Sequence, residues 1–127
     1  MKGAEEDLDS RRPVWQALST LFLDTDTSLL REYRSKLLAR SPYSLPELEQ
    51  ILRDEVFPVC SWNSLSIAGE WAGFDPAWLE QQIMRRVRRP PRWRMGVGHY
   101  LVTRSREWKR TRDAVEAIRT AGPPVVG

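Results

Sequence analysis

Ser44-Leu45-Pro46-Glu47-Leu48-Glu49-Gln50-Ile51-Leu52-Arg53-Asp54-Glu55-Val56-Phe57-Pro58 decides the fold class of this chain. Ser44 and Glu47 stand at the Ser-x-x-Glu spacing of a capping box, in which each side chain satisfies a backbone N–H of the other residue at a helix start. Leu45, Leu48, Ile51, Leu52 and Val56 recur at helical spacing and form a buried stripe, with Glu47, Glu49, Gln50, Arg53 and Asp54 facing outward. Pro58 ends or kinks the helix.

Upstream, Val14, Ala17, Leu18, Leu21 and Phe22 lie on one helical face, which predicts a helix over 11–23 with Ser10 as its N-cap and Pro13 in the first turn. Asp24-Thr25-Asp26-Thr27 is a polar break, and Asp26 or Thr27 can cap a second helix running through Leu30, Tyr33, Leu37 and Leu38 until Ser41-Pro42 closes it. A short break between two helices makes them an antiparallel pair. Downstream, the irregular apolar stretch from Val59 to Phe74 reads as a short helix and a tight turn. Asp75-Pro76 starts another helix, carried by Trp78, Leu79, Ile83 and Val87 and stopped by Pro90-Pro91. After a Pro/Gly linker over 90–99, Leu101, Trp108, Val115 and Ile118 predict a final amphipathic helix over about 100–120. The expected fold is all-α: a compact bundle of about five to six helices with a basic C-terminal helix. Residues 1–10 are expected to form an acidic tail, 11–89 the helical core, 100–120 a helix packing on that core or extending from it, and 121–127 a frayed end.

A chain of 127 residues, 41% of them hydrophobic, suffices for one core. No stretch approaches the roughly 18–20 uninterrupted apolar residues of a membrane span. The acidic start, Met1 to Asp7, is unlike a secretory signal, so a cytoplasmic location and no membrane partner are expected. Cys60, the single cysteine, can form no intrachain disulfide and is expected to be a small buried hydrophobe. The net charge of +3 hides a division: residues 1–84 carry 8 Lys/Arg against 14 Asp/Glu, whereas residues 85–112 carry 11 Lys/Arg against one Glu. The molecule is bipolar, with an acidic body and a basic arm.

Catalytic signals are sparse. His99 is the only histidine, and no phosphate loop or nucleophile elbow occurs, so no catalytic residue, metal or cofactor is assigned. The Asp24, Asp26 and Asp75 carboxylates are caps. Glu70 sits among apolar and aromatic residues, where a structural ion pair with an arginine is the expected arrangement and a catalytic acid the weaker alternative. Of the six tryptophans, Trp71 and Trp78 read as core, while Trp93 and Trp108 stand among cations and read as interface anchors. The candidate partner-binding set is therefore Arg85, Arg86, Arg88, Arg89, Arg92, Trp93, Arg94, Trp108 and Lys109. Three outcomes stay open for these cations: folding back on the acidic body, docking an acidic protein, or binding nucleic acid.

Three strings, Arg12-Pro13-Val14-Trp15-Gln16-Ala17-Leu18-Ser19 through Phe22-Leu23-Asp24-Thr25, Ser41-Pro42-Tyr43-Ser44-Leu45 through Leu52 to Cys60, and Ala68-Gly69-Glu70-Trp71-Ala72-Gly73-Phe74-Asp75-Pro76-Ala77-Trp78-Leu79, resemble a family of small bacterial helical proteins known only as a domain of unknown function. The resemblance covers about 11–89 and implies one compact helical unit of bacterial origin, with no activity attached. The functional expectation is a non-catalytic protein-binding module of the bacterial cytoplasm, in its most concrete form an immunity protein neutralising a cognate toxin by direct binding. The alternative is a nucleic-acid-binding accessory protein that uses the arginine-rich arm.

Overall fold

The computed structural model describes residues 3–22, 28–60, 75–88 and 105–121. They form five helices and no strand: α1 (Leu8–Ser19), α2 (Ser28–Arg40), α3 (Leu45–Ile51, continuing through a π-turn at Leu52–Val56 to residue 60), α4 (Pro76–Arg88) and α5 (Arg106–Ala121). The all-α bundle of about five to six helices expected from the periodicity agrees with the five that these residues build. Its core is one cluster that includes Val14, Trp15 and Leu18 of α1, Leu38 of α2, Leu48 and Ile51 of α3, Leu79 and Ile83 of α4, and Trp108 and Val115 of α5.

Local chemistry accounts for most helix starts. Ser44 and Glu47 form the reciprocal capping box, with Ser44 N–H donating to Glu47 Oε1 at 2.9 Å and Glu47 N–H to Ser44 Oγ at 3.2 Å. Asp75 caps α4 by accepting from the Trp78 N–H at 2.9 Å. Ser105 does the same for α5, accepting from the Trp108 N–H at 3.1 Å, so that helix starts after 105 rather than near residue 100.

The first helix departs from expectation. It begins at Leu8 rather than near Arg11, and a 3-10 turn over Ala4–Glu6 precedes it, with Ala4 buried in the core. Residues 4–10 are thus structured rather than a tail. The expected cap, Ser10, lies inside the helix, and Asp7 at the N-cap makes no side-chain cap bond. Its carboxylate is engaged elsewhere, accepting from the Tyr43 hydroxyl at 2.5 Å. A tertiary contact therefore anchors this start in place of a local one. Pro13 falls within the helix but on its exposed side, together with Asp9, whose carbonyl loses its helical partner to the proline.

Pro58 does not end α3, which stays helical to residue 60. The π-turn explains this. Phe57 N–H bonds back to the Leu52 carbonyl, five residues earlier, and the widened turn gives room where a proline ring would otherwise press on the carbonyl of Asp54. Cys60 ends the described part of this helix, fully buried, and burial pushes its thiol up to about 12. Native protein at pH 8 is expected to leave Cys60 unmodified by a thiol reagent and to react fully in denaturant; rapid reaction without denaturant would contradict this placement.

Helices α2 and α5 make the most extensive contact in the structure. Arg31 and Arg34 meet Glu107, Arg34 also meets Thr111, and the Leu38 and Ala39 carbonyls meet Arg119. Contacts advance together along both helices, so the two run parallel. The final helix is thereby built into the bundle.

Candidate partner-binding surface

The arginines of this chain divide by where they point. Those facing inward are each engaged by specific acceptors. Arg11, 2% exposed, forks onto Glu55 with bonds of 3.2 and 3.0 Å, and Trp15 Nε1 donates to the same carboxylate at 2.8 Å. The Arg11 guanidinium also lies over the Tyr43 ring, 5.2 Å from its centroid. Burial, then the bond to Asp7, push the Tyr43 hydroxyl up to about 12, so it is a permanent donor at neutral pH. Arg34 has no exposed surface; it donates to Thr111 at 3.0 Å, Thr20 at 2.8 Å and Glu107 at 2.8 Å. Arg31 forks onto Glu107 at 2.7 and 2.9 Å. Burial lowers the Arg34 pKa, and Glu107 opposes that shift. Arg119 caps the C-terminal end of α2 by donating to the Leu38, Ala39, Ser41 and Tyr43 carbonyls, where a cation also meets the negative end of the helix dipole.

Trp108 requires a correction. Read as an interface anchor because cations surround it in sequence, it is 1% exposed, and its indole N–H donates to Glu49 Oε1 at 2.8 Å. Its cationic neighbours Lys109 and Arg110, about 100° and 200° further round the helix, are exposed. Glu49, expected to face outward, is half-buried for the same reason: Trp108 and Arg112, 3.6 Å away, both approach it.

The remaining cation candidates behave differently from one another. Arg85 is exposed and Arg86 half-buried at the end of α4; Arg88 is exposed and pairs with Glu5 at 2.7 Å, tying α4 to the N-terminal turn. Lys109 is exposed on α5, and beside it Arg106 and Arg110, absent from the expected set, are exposed too. No ion pair is formed by Arg85, Arg106, Lys109 or Arg110 among the described residues. Arg89, Arg92, Trp93, Arg94 and Glu70 lie outside the described residues. Among the described residues four large apolar side chains are exposed: Leu29 at 78% and Tyr33 at 52%, one turn apart on α2, and, less so, Val87 on α4 and Ile118 on α5; Tyr33, Val87 and Ile118, expected on apolar stripes, lie at the solvent edge of their helices instead.

A notch of about 120 Å³ between α1 and the start of α4 is lined by Arg12, Trp15, Gln16, Pro76, Ala77, Leu79 and Glu80. It is well below the roughly 300 Å³ at which ligand pockets begin. The Arg12–Glu80 fork at its rim, 2.6 and 3.2 Å, holds the Glu80 carboxyl below its ordinary range by hydrogen bonding. Among the described residues, no group of three or more His, Cys, Asp or Glu could hold a metal ion, and no helix is long and apolar enough to cross a membrane.

No curated protein and no solved structure matches the chain. A family described as a domain of unknown function, DUF7079, matches residues 9–120, a span that takes in α5 as well as the helices before it. The chain belongs to the DUF7079 family.

Proposed function

We propose that the protein is a non-catalytic protein-binding module of the bacterial cytoplasm, acting as an immunity protein that neutralises a cognate toxin by direct binding. The observation that carries this reading is the division of cations on α5. Glu107, Thr111, Arg112 and Arg119 close the helix onto the body, whereas Arg106, Lys109 and Arg110 stay exposed with no ion pair among the described residues. These three occupy the face of α5 opposite its buried Trp108–Thr111–Val115 stripe and gather positive charge over little more than one turn of exposed helix. Left outside, they steer an acidic partner and fix its register.

The nucleic-acid alternative draws on the same cations, and two features weigh against it. Trp108 is inside the core and unable to stack on a base. Glu32, Asp113 and Glu116 are exposed on the same two helices as the cations, where a phosphate backbone would be repelled.

The test is co-expression with the products of the adjacent genes. A toxic neighbour whose killing is suppressed, and which co-purifies with the chain in a stable complex, is the expected result. Arg106→Glu with Arg110→Glu should weaken that complex by about tenfold or more, since like-charge contacts replace attractive ones. Failure of every neighbour to bind, together with low-salt binding to DNA or RNA whose log–log salt slope shrinks in the same variant, would hand the case to the alternative.

A further inference from the structure

The outer layer of α2 and α5 combines features that no single helix carries. Exposed residues on α2 include Leu29, Glu32, Tyr33, Lys36 and Arg40; those on α5 include Arg106, Lys109, Arg110 and Asp113. The two helices run parallel and in contact, so their axes lie about 8–10 Å apart and their solvent faces form one surface. Register sets what lies level with what. Arg31 sits between Leu29 and Tyr33 and pairs with Glu107, which sits between Arg106 and Arg110. The apolar pair on α2 is therefore level with the cations on α5.

We propose that this outer layer is a docking surface for an acidic amphipathic segment of a partner protein, whose apolar side chains cover Leu29 and Tyr33 while its carboxylates pair with Arg106, Lys109 and Arg110. The inference rests on the protein-binding reading and adds to it the place and the chemistry of the partner. Charge complementarity selects the occupant. Three cations that form no ion pair among the described residues suit carboxylates, and a leucine at 78% exposure beside a half-exposed tyrosine suits apolar cover. A phosphate chain supplies the negative charge but nothing to bury a leucine. The Glu32–Lys36 pair, 3.0 Å, and the exposed Asp113 make the rim mixed in sign, which suits the mixed surface of a protein better than a uniform polyanion.

The full chain, labelled with nitrogen-15, can be titrated with three probes: a helical peptide of about 18 residues bearing leucine and phenylalanine on one face and glutamate on the other, the same peptide with glutamine for glutamate, and an oligo-deoxythymidine of matching length. The acidic peptide is expected to shift amide signals of α2 and α5 selectively and to bind at least about tenfold more tightly than the glutamine version. Leu29→Ser with Tyr33→Ser, and separately Arg106→Glu with Arg110→Glu, should each weaken it by about tenfold, with circular dichroism unchanged because all four side chains are exposed. Acidic-peptide binding that maps to Arg85 and Arg86 on α4, or that ignores both pairs of substitutions, overturns this surface and leaves the protein-binding reading intact. No binding of the acidic peptide also overturns the surface. Tighter binding of the oligonucleotide than of the peptide overturns both.

Discussion

Trp108→Ala is expected to destabilise the protein by about 3–5 kcal/mol, the range for removing a large aromatic side chain from a packed core. The loss has two parts. The ring is 1% exposed and joins α5 to the common core, so its removal opens a cavity that the surrounding helices fill only in part. Its N–H also satisfies Glu49, which would keep only the longer approach of Arg112 at 3.6 Å. Trp108→Phe separates the two: most of the volume is retained and the hydrogen bond is lost, for an expected cost of about 1–2 kcal/mol. Urea unfolding followed by circular dichroism measures both. A cost under about 1 kcal/mol for the alanine variant, accompanied by weakened partner binding, would return Trp108 to the surface role that its sequence neighbours suggest. Since domains of this size are stable by only about 5–15 kcal/mol, the alanine variant is expected to lose a large share of the total.

Arg34→Ala should cost a comparable amount, about 3–5 kcal/mol, for a different physical reason. The guanidinium has no exposed surface and ties Thr20 beside α1, Thr111 and Glu107 of α5 to α2 through three separate bonds. Removing it leaves those acceptors poorly solvated and a void at the junction of three helices. Arg34→Lys retains the charge but offers a single ammonium where a planar fork reaches three acceptors in different directions, so it should recover less than half of the loss. Full recovery by lysine would show that charge alone matters there. Arg31 remains on Glu107 in both variants, which keeps that carboxylate from being stranded.

A helix end is legible in the sequence where it is a local event. The Ser44–Glu47 capping box and the Asp75-Pro76 start need only three or four neighbouring residues, and both appear as expected. The start of α1 is not, because Asp7 engages Tyr43, 36 residues away, instead of capping the helix it precedes. Similarly, Pro58 signals a disruption without saying that the chain answers with a π-turn and stays helical. Glu55 illustrates the limit for charged residues. Its place near the end of a helix gives no hint that Arg11 and Trp15 converge on it from 44 and 40 residues away.

The candidate surface was half legible. Spacing places Trp108 on the Leu101–Trp108–Val115 stripe and Lys109 off it, yet the cations around Trp108 in sequence put both in the expected binding set and left Arg106 and Arg110 out. The packing separates them: the α5 face bearing Trp108 and Val115 is the one buried against the bundle, and Arg106, Lys109 and Arg110 lie about 100° or more round the helix from Trp108.

What the sequence by itself determined is the all-helical class, the capped helix starts at Ser44 and Asp75, and the separation of an acidic body from a basic arm. All three depend on interactions within a turn or two of helix, or on simple counts. Tertiary structure alone decided which charges are spent inside the molecule and which remain for a partner. An arginine buried against a distant glutamate and an arginine facing water are the same letter, and the difference between Arg34 and Arg106 arises only when α2 and α5 come to lie side by side.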